Sequence, residues 1–346
     1  MKKVSIIGLF CNGREVSDGQ SIKTRIVAQA VEKSVGSQHV HKIDTYGWKK
    51  HPFKLFFNCI RAVFCSKNVI FLTDAGGIKI FPWLLNIVNI FVNRTIHYVV
   101  VGGWLIHYAP KHKVLSFFLK KLDGIFVETQ VMQTTLEGLG FQNVYLMPNF
   151  KDLTLVSENE LYCSNTEPFR FCIFSRVMKE KGIAYAVDAV RNTNNYYGRT
   201  VCTLDIYGQI DSNQTEWFDE LKQTFSNDIR YEGVVPFNES VHVLKDYYAL
   251  LFPTQFYTEG VPGTIIDAYA AAIPVVASEW ESVFDIIEPG VTGITYNFEM
   301  PEALQECLMN LIKTPEKVFE MKKNCLNKAE QYLPDFVIDI LVSKLD

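Results

Sequence analysis

The stretch FPTQFYTEGVPGTIIDAYAAAIPVVAS, Phe252 to Ser278, decides how the rest of the chain is read. Tyr248 to Pro253 is a short apolar run of strand type. A polar loop follows and ends in Glu259-Gly260-Val261-Pro262-Gly263. Thr264 to Ala272 is rich in helix formers and holds no Gly or Pro, so it predicts a helix. Pro274 to Ser278 reads as the next buried strand. A strand, a glycine-containing loop and a helix start together make an anion site. The first N–H groups of the helix lack intrahelical partners, and the helix dipole adds positive potential. Glu259 stands before this site and Asp267 one turn into the helix. A carboxylate beside a bound phosphate is repulsive unless it accepts hydroxyl hydrogen bonds, which sugar and ribose can donate. Neither acid is expected in an apolar core. The plainer alternative is an ordinary strand–helix–strand unit with a solvated loop acid and a helix-surface acid.

This arrangement resembles the donor site of the retaining GT-B glycosyltransferases, family 4 of the glycosyltransferases. Their signature is a carboxylate, seven residues, then a second carboxylate. Here these are Glu259 and Asp267, with Asp where the family usually carries Glu. A second match lies upstream, where the strand candidate Phe169 to Phe174 leads into SRVMKEKG, Ser175 to Gly182. The family has a matching Arg and Lys-Gly, here Arg176 and Lys181, and the resemblance implies that these cations bind the donor diphosphate. A planar guanidinium and an ammonium both suit phosphate oxygens. Lys179 and Glu180 are read as a solvated turn. Gly208 follows the strand Thr203 to Tyr207, and Ile229 to Pro236 is similar to the segment that meets the nucleotide base. Gly19, at a helix entrance in DGQSIKT, is the one glycine carried over from the first half.

The resemblance therefore implies Glu259, Arg176 and Lys181 as catalytic. It implies Gly19, Gly208, Gly260, Val261, Gly263, Thr264 and Asp267 as donor contacts. It covers nearly the whole chain, but its motifs are specific only in the second half. The implied fold is α/β, GT-B, two Rossmann-like domains facing across a cleft. The expected boundaries are 1–155 and 165–333, with 334–346 crossing back onto the first domain. The last helix is expected over Phe336 to Leu345, with Phe336, Val337, Ile340 and Leu341 on its apolar side.

Length and composition agree with two domains: 346 residues, 48% hydrophobic and 21% charged. The net charge of −4 hides an asymmetry. Residues 1–150 hold 18 Lys and Arg against 8 Asp and Glu, a balance of +10, while residues 151–346 come to −14. A basic first half suggests an anionic partner. Within it, YGWKKHPFKLFFNCIRAVFCSK, Tyr46 to Lys67, places Phe53, Phe56, Phe57, Ile60 and Phe64 at helical spacing with Lys and Arg on other faces. Such a stripe is either core or the face of a helix resting on an anionic membrane surface. Phe81 to Val92 is too short to span a bilayer, so no transmembrane segment is expected. The eight Cys form no C-x-x-C pair and read as reduced core thiols of a cytoplasmic protein, which the basic helix would hold peripherally at the inner face of the membrane.

The reaction implied by the resemblance is transfer of a sugar from a nucleotide diphosphate sugar to a saccharide or lipid-linked saccharide acceptor, with retention, in cell-surface polysaccharide synthesis. No cofactor and no metal are expected, since no Asp-x-Asp pair occurs. No nucleic-acid partner is expected either. Two other classes stay open: a GT-B sugar-nucleotide epimerase, which needs no acceptor, and a non-catalytic glycosyltransferase-like partner subunit.

Overall fold

The computed structural model describes residues 2–11, 19–161 and 166–345. Residues 12–18, ahead of Gly19, lie outside the described residues, as does Cys163. The chain divides into two compact units, Met1–Asp152 with Tyr332–Asp346, and Leu153–Gln331.

The first unit runs β1 (Lys2–Gly8), α1 (Gly19–Val35), β2 (Val40–Asp44), α2 (Pro52–Cys65), β3 (Ser66–Thr73), α3 (Phe81–Asn89) and β4 (Thr95–Val100). It continues with α4 (Leu105–Tyr108), α5 (Lys113–Leu119), β5 (Gly124–Val127), α6 (Gln130–Gly138) and β6 (Val144–Leu146). All its strands pair in parallel in the order β2-β1-β3-β4-β5-β6. A parallel sheet is buried on both faces, which is why β3 and β4 read as nearly continuous apolar runs. The strand order reverses between β1 and β3. At that switch the loops leave in opposite directions and open a crevice at the carboxyl edge.

The second unit runs β7 (Phe169–Phe174), α7 (Ile183–Tyr197), β8 (Cys202–Tyr207), α8 (Thr215–Lys222), β9 (Ile229–Gly233), α9 (Ser240–Leu244) and β10 (Ala249–Phe252). Then come α10 (Gly263–Ala270), β11 (Val275–Ser278), α11 (Val283–Ile286), β12 (Gly293–Tyr296), α12 (Ala303–Lys313) and α13 (Pro315–Ala329). Its sheet is also parallel, in the order β12-β11-β10-β7-β8-β9, and reverses between β7 and β10.

The last helix, α14 (Pro334–Val342), packs on α1 of the first unit. Its buried residues are Val337, Ile338 and Leu341, in one core with Ile26, Val27 and Val31. Phe336, expected on the apolar side, is 64% exposed and Ile338 takes its place. The reason is pitch: 337, 338 and 341 form one i, i+1, i+4 stripe, and 336 lies off it.

Helix α2 removes one of the two readings of its aromatic stripe. It starts at Pro52, where a missing N–H costs nothing, after a separate 3-10 turn over Trp48–Lys50. Its buried residues are Cys59, Ala62 and Val63, small side chains that let the helix lie close to the sheet. The aromatic stripe is not core. Phe53 is 78% and Phe57 64% exposed, and Phe56 and Phe64 are also exposed. Cys65 is exposed too, unlike the other described cysteines, which are buried. No helix among the described residues is long and apolar enough to cross a membrane.

Candidate active site

The second unit gathers its chemistry at the switch point of its sheet. Lys181 follows β7 and Glu259 follows β10, so each comes from one side of the reversal. A parallel sheet directs all carboxyl ends, and the loops after them, to one edge. Lys181 lies in a 3-10 turn, Lys179–Lys181, closed by Gly182 at φ +70. A Cβ on Gly182 would stand 1.8 Å from the carbonyl oxygen of Pro253, so only glycine lets the β7 loop rest on the end of β10. The Gln255 N–H donates to Glu180 O at 2.8 Å and ties the two loops together.

The result is an ion pair. The Lys181 ammonium donates to Glu259 Oε1 at 2.5 Å, with the two side chains only 18% and 17% exposed. Buried Thr254 donates its hydroxyl to the same oxygen at 3.0 Å. Thr254 is itself fixed, because its carbonyl accepts from Ser278 Oγ at 2.6 Å. The ammonium also lies 5.3 Å from the Phe252 ring centre and 5.1 Å from that of Phe256. Glu259 and Lys181 are thus held in a partly dry place, where a charge is felt more strongly than in water.

Arg176 reaches Asp211 at a long 3.7 Å and remains 46% exposed. Gly208, at φ +137, has Ser175 O 1.8 Å from where its Cβ would be. Its glycine identity is thus explained by the close approach of the β7 and β8 loops. Lys179 lies 5.9 Å from the Trp217 ring centre, and Gln214 donates to Glu180, which holds that carboxyl below the usual range.

Helix α10 begins at Gly263 after Pro262, with no side-chain cap. Gly260 and Val261 are buried in the turn that feeds it. The Thr264 hydroxyl oxygen is buried and has no hydrogen-bond partner. A buried polar atom left unsatisfied costs on the order of 1–3 kcal/mol, which a bound ligand removes.

Asp267 departs from expectation. It is 2% exposed and accepts the Ser240 hydroxyl at 3.0 Å, so it is neither a surface acid nor clear of the core. Helix α9, which carries Ser240, packs on α10 and covers it. Gly19 starts α1 in the first unit, with open space around its Cβ position. Among the described residues no group of three or more His, Cys, Asp or Glu side chains could hold a metal.

Residues 168–314 match the family described as Glycosyl transferases group 1. The amylovoran biosynthesis glycosyltransferase AmsK of Erwinia amylovora is 25% identical over 136 residues, 37% of this chain and 32% of AmsK. The matched segment thus spans about a third of that relative. HepE of Anabaena, solved in complex with UDP, superposes with a TM-score of 0.76 at 14% identity, over 100% of this chain and 99% of HepE. Sucrose-phosphate synthase of Thermosynechococcus elongatus does so at 0.73 and 15%, over 100% and 98%. The chain has the GT-B fold.

In this GT-B chain, Lys181, Glu259, Gly260 and Val261 share the loops at one sheet edge, and Gly263 and Thr264 open the helix that follows. Arg176 and Gly208 sit on the loops beside them, Asp267 is underneath, and Gly19 belongs to the other unit. Sequence reasoning missed Thr254, which fixes Glu259, and Ser240, which holds Asp267. Thr254 lies five residues before Glu259, just past the apolar run, and only that position hinted at it. Nothing in the sequence points from Asp267 back to Ser240.

Proposed function

We propose that this chain is a retaining glycosyltransferase that moves a sugar from a nucleotide diphosphate sugar to an acceptor hydroxyl. One observation carries the reading: Lys181 and Glu259 meet across the switch point of the second sheet, beside the uncapped start of α10. In transfer, the bond between the anomeric carbon and the diphosphate oxygen breaks, and its electron pair leaves with the diphosphate. The acceptor oxygen bonds to the same face of that carbon, and its proton passes to the departing phosphate oxygen. The charge that develops is met by Arg176, Lys181 and the N–H groups at Gly263 and Thr264. Glu259 accepts the hydroxyls of the moving sugar. Asp267 takes the ribose hydroxyls where the Ser240 hydroxyl now lies. Because HepE has been solved with UDP and with UDP-glucose, uridine diphosphate sugars are the donors to test first. A ligand of the folded state raises its melting temperature, so a panel of nucleotide sugars identifies the donor. No shift with any of them, nor with free nucleoside diphosphates, would remove the reading.

The acceptor side is read from the first unit. Helices α2, α3 and α5 lie side by side and leave Phe53, Phe57, Ile90, Phe91 and Val114 exposed. Lys49, Lys50, Lys54, Arg61, Lys79 and Lys113 lie on or next to the same helices. Apolar side chains among lysines suit an anionic membrane surface on the cytoplasmic side, and hence a lipid-linked saccharide acceptor. Binding to vesicles with anionic lipid is expected to fall with salt. Binding indifferent to both salt and lipid charge would contradict it.

A further inference from the structure

The first unit holds a cavity of about 580 Å³ that the donor chemistry does not use. It opens at the switch point of the first sheet, where Leu9 follows β1 and Thr73 and Asp74 end β3. Thr45, after β2, closes the same end. From there it runs along α2 and α3, between Trp48, Leu55, Phe56, Phe57, Ile80 and Leu84. Protein interiors are close-packed, and an apolar space of this size left in water is unfavourable. Its volume lies in the range of pockets that hold small molecules.

We propose that this cavity takes the hydrocarbon chain of a phosphate-bearing lipid, the apolar part of the acceptor. This rests on the acceptor reading above. Two features specify the occupant. The walls along α2 and α3 are aliphatic and aromatic, which suits a chain. Next to those wall residues in the sequence stand four exposed cations, Lys49, Lys50, Lys54 and Lys79, which suits an anionic head. Among the described residues, Asp74 is the one acid that lines the cavity, and it stands at the sheet end. Its Oδ1 accepts the N–H groups of Gly76 and Gly77 at 2.9 and 3.1 Å, so the loop holds it in place. A carboxylate there accepts a saccharide hydroxyl.

The test is calorimetric titration of the full chain with decyl phosphate below its micelle-forming concentration, beside octyl phosphate and inorganic phosphate. Decyl phosphate is expected to saturate a single site. Octyl phosphate, two methylenes shorter, should bind roughly tenfold more weakly, and inorganic phosphate should give no measurable heat. Leu55→Trp fills the cavity and should weaken decyl phosphate at least tenfold. If that variant melts early, Trp48→Ala on the exposed wall should weaken it as well. Lys49→Gln with Lys50→Gln and Lys54→Gln should weaken the phosphate-bearing chain. Equal binding by the octyl and decyl compounds, or full affinity in both cavity variants, would overturn the proposal. So would no binding of decyl phosphate by a protein that still binds its nucleotide sugar. Loss of nucleotide-sugar binding alone strikes the donor reading and leaves this one standing.

Discussion

Lys181 and Glu259 present the sharpest prediction, because in the ligand-free chain they neutralise each other. The ammonium lies 2.5 Å from Glu259 Oε1, and less than a fifth of either side chain is exposed. A donor diphosphate must therefore compete with Glu259 for Lys181. Removing the ammonium by Lys181→Ala loses a charge-assisted contact of about 1.5–3 kcal/mol, so nucleoside diphosphate affinity should fall roughly 10- to 150-fold. It also strands the Glu259 carboxylate with the Thr254 hydroxyl as its remaining partner. Breaking a fully buried pair costs about 3–5 kcal/mol and an exposed one about 0–1. This pair retains some access to water, so about 1–3 kcal/mol of stability is expected to go. Glu259→Gln does the reverse: it frees the ammonium, so nucleoside diphosphate should bind at least as tightly while turnover collapses. Adding Glu259→Gln to Lys181→Ala should restore part of the lost stability, since no charge is then stranded. Titration calorimetry with the nucleoside diphosphate and melting curves measure all of this. If Glu259→Gln weakens the diphosphate as much as Lys181→Ala does, or if Lys179→Ala matches Lys181→Ala, the assignment of the phosphate cation is wrong.

Asp267→Asn should raise donor KM and also lower the melting temperature, by about 1–3 kcal/mol of stability, because its Ser240 hydrogen bond is buried; an unchanged melting curve would contradict the burial argument. Gly182→Ala should cost about 2 kcal/mol or more, since the left-handed backbone is unfavourable for alanine and its Cβ would meet Pro253 O at 1.8 Å. Turnover should fall with it, because Lys181 is displaced from Glu259, and wild-type melting and turnover together would refute the close approach. Ser157 and then Lys245 hold the Glu160 carboxyl down from 4.5 to about 2. Its small contribution is therefore fully present above about pH 4.5 and is lost as pH falls through about 2. The stability difference between wild type and Glu160→Gln in urea should be constant from pH 7 to 5 and shrink below that; a difference that grows toward low pH would refute it.

Much of the second unit is legible in its sequence because its inner strands are continuous apolar runs. Phe169 to Phe174 is read at both ends, and β10 and β11 to within about a residue. The break at Thr314-Pro315 between α12 and α13 follows from proline alone. Two of the outer strands are not legible. β2, VHKID, carries His, Lys and Asp at a sheet edge, and β12 is only four residues. The stripe on α2 misleads for a physical reason: helical spacing reports that phenylalanines share a face, not which face meets the sheet. The small Cys59 and Ala62 decide that. At the site, local motifs found Lys181 and Glu259 but not that they pair, since the contact joins positions 78 residues apart. The burial of Asp267 is hidden likewise, because Ser240 stands 27 residues earlier on another helix.

The central claim is sugar transfer with retention, and the anomeric configuration of the product tests it most directly. The chain is incubated with the nucleotide sugar chosen by thermal shift and with a saccharide acceptor, and the new linkage is read by proton NMR. The account predicts nucleoside diphosphate release that depends on acceptor, and a glycosidic bond of the same configuration as the donor. Both should be lost in Glu259→Gln. An inverted linkage, or an epimerised sugar formed at the same rate without acceptor, would contradict it.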